Sequence, residues 1–506
     1  MKKISAGFIV VVALGLLGAC SSSNEAKLSN DKDGKLEIVT TFYPMYDFTK
    51  NIVGDEANVE LMVPAGSEPH DYEPSAKDMA KAHDADVFVY HNENMETWVP
   101  KAKENWKSSK PNVVEGTKDM ILLPSSEEDH DHGEEGHHHE LDPHTWVSPK
   151  MAIKEVANIK DQLAKLYPKK ARVFETNAEK YLTKLKQLDA DYTASLKEAK
   201  EKSFVTQHAA FGYLALDYGL MQVPIAGLSP EEEPSSGRLA ELKDYVKKNK
   251  INYIYFEKNT NDKIAKTLAN EAGIKTEVLN PLESLTKEQM DNGEDYVSVM
   301  EDNLKALEKT TTVSGEKVTP EKEIKNEKTV ANGYFKDTDV KDRELSDYIG
   351  EWQSVYPLLK DGILDEVFEY KAKLNKDMNA TGYKDYYTTG YKTDVDNINI
   401  KENTIDFVVK GEHHQYTYKY VGYKILNYEK GNRGVRFNFE TDDAGAGRFK
   451  YVQFSDHGIV PNKAEHFHVF FGGDSQEKLY NEMHNWPTFY PALLSKYEIA
   501  QEMMAH

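Results

Sequence analysis

Cysteine is almost missing: Cys20 is the single thiol in 506 residues. One thiol leaves no intrachain disulfide and no thiolate metal site, so any zinc held here takes its ligands from His, Asp and Glu. Positive charge is short as well, with 63 Lys and Arg against 85 Asp and Glu and a net charge of -22. That excludes nucleic acid as a partner, because phosphate binding needs a basic surface. Long apolar runs are scarce, and the one from Phe8 to Leu17 is too short to span a bilayer. Aromatic residues disappear between Tyr296 and Tyr334. The Thr-, Lys- and Glu-rich stretch there has too little apolar surface to offset chain entropy, so 308–333 reads as a linker.

What is present fits a soluble body of two or three domains, since one core stops growing at about 250–300 residues. The N-terminus has Lys2 and Lys3, then the apolar run, then small residues, as a secretory targeting segment does. Its end, Leu17-Gly18-Ala19-Cys20, resembles a bacterial lipobox. The resemblance implies a signal peptide over 1–20, a lipid on Cys20 and anchorage to the extracellular face of the cytoplasmic membrane. Residues 21–35 are polar and aperiodic, a flexible tether.

Beyond the tether, "KLEIVTTF" (35–42), "VELMVPA" (59–65) and "DVFVYH" (86–91) read as buried strands separated by helix-forming sequence. Strands return at "SFVTQHA" (203–209), "NYIYFE" (252–257) and "KTEVLN" (275–280). This alternation predicts an α/β body with two parallel-sheet lobes. Between them runs a long helical segment, with Ser148 as N-cap, Pro149 in the first turn and a kink or break at Pro168. After the linker the pattern changes to period two. "NTIDFVVK" (403–410), "QYTYKYVGY" (415–423), "GVRFNFE" (434–440) and "RFKYVQF" (448–454) predict an antiparallel barrel or sandwich, introduced by a helical segment around 341–376.

Six of the 17 histidines fall within "DHDHGEEGHHHELDPHTW", residues 129–146. Density alone makes no site; placement does. His70, His144 and His208 sit in Pro- or Gly-punctuated loops where strands end or the long helix begins, and ligands collect at such ends of parallel sheets. His83 and His91 look ordinary beside them. The segments "SEPHDYEPS", "LDPHTWVSP", "QHAAFGYLALDYGL" and "LNPLESL" resemble, in order, those of the ZnuA-like metal-binding proteins of ABC importers, over about 36–307. The resemblance implies ligands His70, His144 and His208 with a fourth in the last motif. Many relatives carry an aspartate early in that motif. Asn280 stands there in this chain, so Glu283 is the candidate carboxylate. Histidine at 208, where manganese binders offer a carboxylate, favours zinc. Asp142 is a candidate partner for the His144 imidazole. His130, His132, His137, His138 and His139 would belong to a mobile loop that gathers zinc loosely.

A second constellation lies in "SDHGIVPNKAEHFHVFFGG" (455–473). His466 and His468 share one face of a strand, with His457 nearby, a zinc-site pattern. His413 and His414 are adjacent, point apart and are not counted. This segment and "LSDYIGEWQSVYPLL" (345–359) resemble the ZinT-like zinc-binding proteins, which implies a mainly β, lipocalin-like (calycin) barrel over 334–506. A ZnuA-like body, a linker and a ZinT-like tail together resemble the AdcA-type two-domain zinc lipoproteins. The expectation is a monomeric, non-enzymatic protein holding two Zn2+, one per domain. It would deliver zinc to an ABC permease and its ATPase, the C-terminal domain acting as accessory scavenger. The competing readings are a surface hydratase or hydrolase with zinc on His457, His466 and His468, and an adhesin with structural zinc.

Overall fold

The computed structural model describes residues 34–106, 110–124, 141–228, 235–257, 263–312, 328–330, 332–375, 377–428 and 431–505. Cys20 and the five loop histidines expected to gather zinc, His130, His132, His137, His138 and His139, lie outside the described residues.

The first lobe is a parallel sheet of β1 (Leu36–Thr40), β2 (Ala57–Leu61), β3 (Val87–Tyr90) and β4 (Asn112–Glu115), in the order β2-β1-β3-β4. The second repeats that order with β5 (Ser203–Thr206), β6 (Met221–Pro224), β7 (Tyr253–Phe256) and β8 (Lys275–Val278), arranged β6-β5-β7-β8. Strands β3 and β5 are buried at every position, as expected of strands covered by helices on both faces.

The bridging segment is two helices, Pro149–Leu166 and Ala171–Leu196. Pro168 breaks the helix because its ring excludes the α conformation from Tyr167, which sits at φ -128, ψ 71. Phe174, Ala178, Tyr181, Leu185, Leu188, Tyr192 and Leu196 form the buried stripe of the second helix. In its first half Tyr181 packs on Phe48 and donates to Asp47 of the first lobe. Near its C-terminal end the Tyr192 hydroxyl donates to the Met300 carbonyl at 2.7 Å. The expected cap differs: the Ser148 hydroxyl makes no cap bond and donates instead to Asp217 at 2.7 Å.

The C-terminal domain is a nine-stranded antiparallel sheet: β9 (Gly350–Ser354), β10 (Asn397–Lys401), β11 (Thr404–Val409), β12 (Glu412–Thr417), β13 (Lys419–Asn427), β14 (Arg433–Glu440), β15 (Tyr451–Ser455), β16 (Phe467–Gly472) and β17 (Thr488–Pro491). Its order, β12-β11-β10-β9-β17-β16-β15-β14-β13, puts β12 and β13 at opposite edges. Only Tyr418 separates these two strands in the chain, so the sheet must curl until its edges meet. The result is a curled half-barrel, consistent with the expected lipocalin-like barrel and filled by Trp352, Ile398, Phe407, Phe437, Phe454 and Phe467. "QYTYKYVGY", read as one run, is therefore two strands. The helical segment around 341–376 contains β9 before its helices Tyr356–Lys360 and Asp365–Leu374.

The two domains dock. Ile121, Leu123, Met151 and Tyr213 of the α/β body share one apolar cluster with Leu359, Phe368, Ile499 and Met503. Around it the Gln501 amide accepts from the Leu122 N–H at 2.7 Å and donates to its carbonyl at 2.9 Å. Lys373 pairs with Asp217 at 2.9 Å.

Candidate metal centres

His70 follows β2, His144 precedes the bridging helices, His208 follows β5 and Glu283 follows β8. The structure brings all four together between the lobes. His70 Nε2 and His144 Nε2 are 3.1 Å apart, and Glu283 Oε1 lies 3.1 Å from His208 Nε2, 3.4 Å from His70 Nε2 and 3.5 Å from His144 Nε2. A tetrahedral zinc with Zn–N bonds of ~2.0–2.1 Å has ligand-to-ligand edges of about 3.3 Å. The donors already stand at that spacing.

The surrounding groups aim these atoms. His144 Nδ1–H is held by Asp142 Oδ1 at 2.8 Å, and the same oxygen accepts from the His144 backbone N–H at 2.9 Å. His208 Nδ1 is held by Glu257, which follows β7. With Nδ1 protonated in both rings, Nε2 is the nitrogen left to coordinate. Asn280 does not face the centre; its side chain accepts from the Leu282 N–H at 2.8 Å. That bond fixes a turn in which Leu282 takes φ 61 and Glu283 swings inward.

His144 and His208 are inaccessible and Glu283 nearly so, whereas the His70 side chain is 11% exposed, so the centre meets solvent at His70. Electrostatics follow from burial and pairing. Burial pushes His70 down. Burial alone would depress His208, but the carboxylates of Glu257 and Glu283 raise it well above its ordinary range. Glu283 resists its own burial and stays well below the usual carboxylate range because three imidazoles surround it. Glu68, which accepts from the His70 N–H at 2.9 Å, is pushed up to about 9 by burial and by the Glu283 charge.

Sequence reasoning missed several supports. Glu257 gave no signal, being 49 residues from its partner. Gly212 sits where a Cβ would come within 2.8 Å of Asp142 Oδ2, so any side chain there would push Asp142 away from His144. His91, read as ordinary, lies wholly buried beneath the centre, its Nε2 2.6 Å from the Pro143 carbonyl beside His144. His83 is exposed and pairs with Asp84 at 3.1 Å.

His457, His466 and His468 also converge, with one donor nitrogen from each within 4.8 Å of the others. His457 follows β15 at φ 64, and His466 and His468 straddle the start of β16. The Thr488 hydroxyl donates its one proton to the Trp486 carbonyl at 3.0 Å, so at 2.7 Å it accepts from His468 Nδ1–H. This makes Nε2 the coordinating nitrogen of His468. His466 stacks on Tyr490 at 5.1 Å between centroids. The His457 loop is anchored by Arg343, fully buried and paired with Asp347 at 2.9 Å and Asp456 at 2.5 Å. His413 takes no part; it is exposed and bonded to Asp406 at 2.7 Å, while His414 faces Phe449.

Two α/β lobes closing on three histidines and a carboxylate, with a curled β-domain carrying three more, define a metal-recruiting solute-binding protein. The comparisons place it further. A family model described as ZnuA, zinc-uptake complex component A periplasmic, matches residues 38–310, and one described as ZinT (YodA) periplasmic lipocalin-like zinc-recruitment matches 326–506. The zinc-binding lipoprotein AdcA of Streptococcus pneumoniae (strain ATCC BAA-255 / R6) is 62% identical over 509 residues, covering 100% of each chain. The high-affinity zinc uptake system protein ZnuA of Bacillus subtilis (strain 168) is 48% identical over 315 residues, 62% of this chain and 99% of that protein. The crystal structure of Zn(II)-bound AdcA from Streptococcus pneumoniae matches with a TM-score of 0.84 at 62% identity, over 94% of this chain and 100% of that one. The chain belongs to the ZnuA family of zinc-recruiting proteins in ABC zinc uptake, in its AdcA-type form with a ZinT domain appended.

Proposed function

We propose that this chain captures Zn2+ outside the cell at two centres and hands it to an ABC permease and its ATPase. His70, His144, His208 and Glu283 hold the ion to be delivered, and His457, His466 and His468 hold a second in the accessory domain. The observation that carries this reading is the 3.1–3.5 Å spacing of the first four donors, which suits a small tetrahedral cation. Three imidazoles and one carboxylate favour zinc over manganese.

The chain divides as a signal peptide over 1–20, a tether over 21–35, a ZnuA-like domain over 36–307, a linker over 308–333 and a ZinT-like domain over 334–506. A lipid on Cys20 keeps the monomer at the membrane, and His130, His132, His137, His138 and His139 gather zinc beside the first centre. The chemistry is ligand exchange. Glu465, beside His466, is the carboxylate that a hydratase or hydrolase reading would use as a base, and it is exposed. Enzyme and adhesin readings are not favoured by the family the chain belongs to.

Bound zinc per chain, measured by elemental analysis after dialysis against a weak chelator, tests the assignment. Wild type should hold about two, and His208→Ala and the His466→Ala/His468→Ala double variant about one each. Two zinc retained by His208→Ala would refute the first centre. Two retained by the double variant would refute the second.

A further inference from the structure

The second centre opens on a cavity of about 450 Å³. His457 and His468 line it, together with Arg433, Arg436, Tyr386 and Trp486. No aspartate or glutamate is among its described lining residues, in a chain with 85 of them. The first centre is built the opposite way, with Glu283 in contact and Asp142, Glu257 and Glu68 around it.

That difference has an electrostatic consequence. Zinc on Glu283 and three imidazoles has part of its charge cancelled within the site. Zinc on three neutral imidazoles keeps its full double charge, and beside it stands Arg436, only 3% exposed. The Arg436 guanidinium lies 3.5 Å over the Phe470 ring and donates to the carbonyls of Leu479 at 2.7 Å and Glu482 at 2.5 Å and to Gln453 at 3.2 Å. All three are neutral acceptors, and the Glu482 carboxylate acts on the guanidinium only through space. Arg343 with Asp347 and Asp456 leaves one net negative charge beside His457, so the charges of zinc and Arg436 are offset only in part, and burying the remainder is costly. A water molecule could fill the fourth position but would cancel none of it. It would also occupy only ~30 Å³ of a cavity whose volume falls in the ~300–1,000 Å³ range of small-molecule sites.

We propose that the second centre binds zinc together with a small organic carboxylate. The carboxylate completes the zinc sphere, and the rest of the molecule lies between Arg433 and the aromatic wall of Tyr386 and Trp486. Arg436 supplies fixed charge, since both its terminal nitrogens are committed. Arg433, paired through Nη1 with the exposed Asp337, supplies the donor that can turn to the ligand. Tyr386 and Trp486, 5.0 Å apart between centroids, form the opposite face. The accessory domain would then take zinc already carried by an organic acid, where the first centre takes the bare ion.

This inference rests on the assignment of His457, His466 and His468 as ligands, and the test separates the two. The full chain carrying His208→Ala, so that only the second centre loads, is charged with Co2+ and titrated with citrate. Citrate should shift the visible ligand-field bands, bind with measurable heat only to the metal-loaded chain, and leave the metal in place. Arg433→Gln should weaken citrate by about tenfold, the scale of one charge-assisted hydrogen bond. Tyr386→Ala should weaken it independently of any effect of Arg433 on folding. A chain that takes up no cobalt overturns both readings. Cobalt bound with no response to citrate, citrate that strips the metal, or an undiminished affinity in both variants overturns the carboxylate alone.

Discussion

Glu257 touches the first centre only through His208, and its removal should be felt there as lost zinc affinity. In the empty centre His208 is raised well above its ordinary range, because Glu257 holds Nδ1 and Glu283 faces Nε2 across 3.1 Å. A proton therefore sits on Nε2 and must leave as zinc arrives. Affinity should rise about tenfold per pH unit below that raised pKa and level off above it. Glu257→Gln keeps an acceptor for Nδ1–H but removes the charge that polarises the ring. Glu257→Ala also leaves that buried N–H without a partner. A hydrogen bond to a charged group is worth ~1.5–3 kcal/mol, and supporting carboxylates behind metal-bound histidines typically carry ~10–100-fold in affinity. The expected losses are about tenfold for Gln and about a hundredfold for Ala. The assay is competition against a chromogenic zinc chelator, on a chain whose second centre is removed by His466→Ala/His468→Ala. Proton release, from calorimetry in buffers of different ionisation enthalpy, should fall in the Gln variant because His208 then holds its proton less firmly. A Gln variant within twofold of its parent, releasing as many protons, would refute the role given to the Glu257 charge.

Three further perturbations follow from contacts already described. Gln501→Ala breaks both bonds to Leu122, whose neighbour Leu123 shares the Tyr213 hydroxyl with Asp142. Loss of about 1–2 kcal/mol of docking should loosen Asp142 and speed chelator-driven zinc loss from the first centre in stopped-flow traces; an unchanged rate would refute the coupling. Asp47, held by Tyr181 and raised by burial from 3.8 to about 6, is protonated more readily folded than unfolded. Its contribution to stability is thus full below about pH 4 and lost as pH rises through 6. At roughly 1.36 kcal/mol per pH unit this amounts to about 3 kcal/mol, so Asp47→Asn should raise denaturant stability at pH 7 by up to that amount and flatten its decline between pH 4 and 6. Arg343→Leu leaves Asp456 buried without its cation and should destabilise the C-terminal domain by about 3–5 kcal/mol in denaturant melts, releasing the metal held with His457.

How much of this could be read from the chain depended on whether the cause was local. His70, His144 and His208 were legible because proline or glycine marks the loops that carry them, and His466 and His468 because two-residue spacing predicts a shared side, although the strand itself begins only at Phe467. Strands β4 and β6 went unread: "NVVE" and "MQVP" are four residues each, half-buried, and one ends in proline. The division at Tyr418 was hidden because β12 and β13 share one alternating pattern and only the curl of the sheet separates them. Ser148 looked like a cap from its neighbours, but Asp217, 69 residues away, claims its hydroxyl. Glu257, Thr488 and Arg343 were silent for the same reason, since their roles exist only once distant strands lie side by side.

The docked seam between the domains changes what the connecting peptide has to do. Tyr213, whose hydroxyl donates to the Asp142 carbonyl at 2.8 Å, and Tyr490, on which His466 stacks, belong to the same apolar cluster. Each metal centre thus backs onto one wall of a shared partition. A short flexible tether gives joined domains an effective concentration on the order of millimolar. At that concentration a seam too weak to hold two separate chains together stays closed within one. The peptide then guarantees one accessory domain per delivery domain, while the seam alone decides where that domain sits, so the connection is free to vary in length and composition.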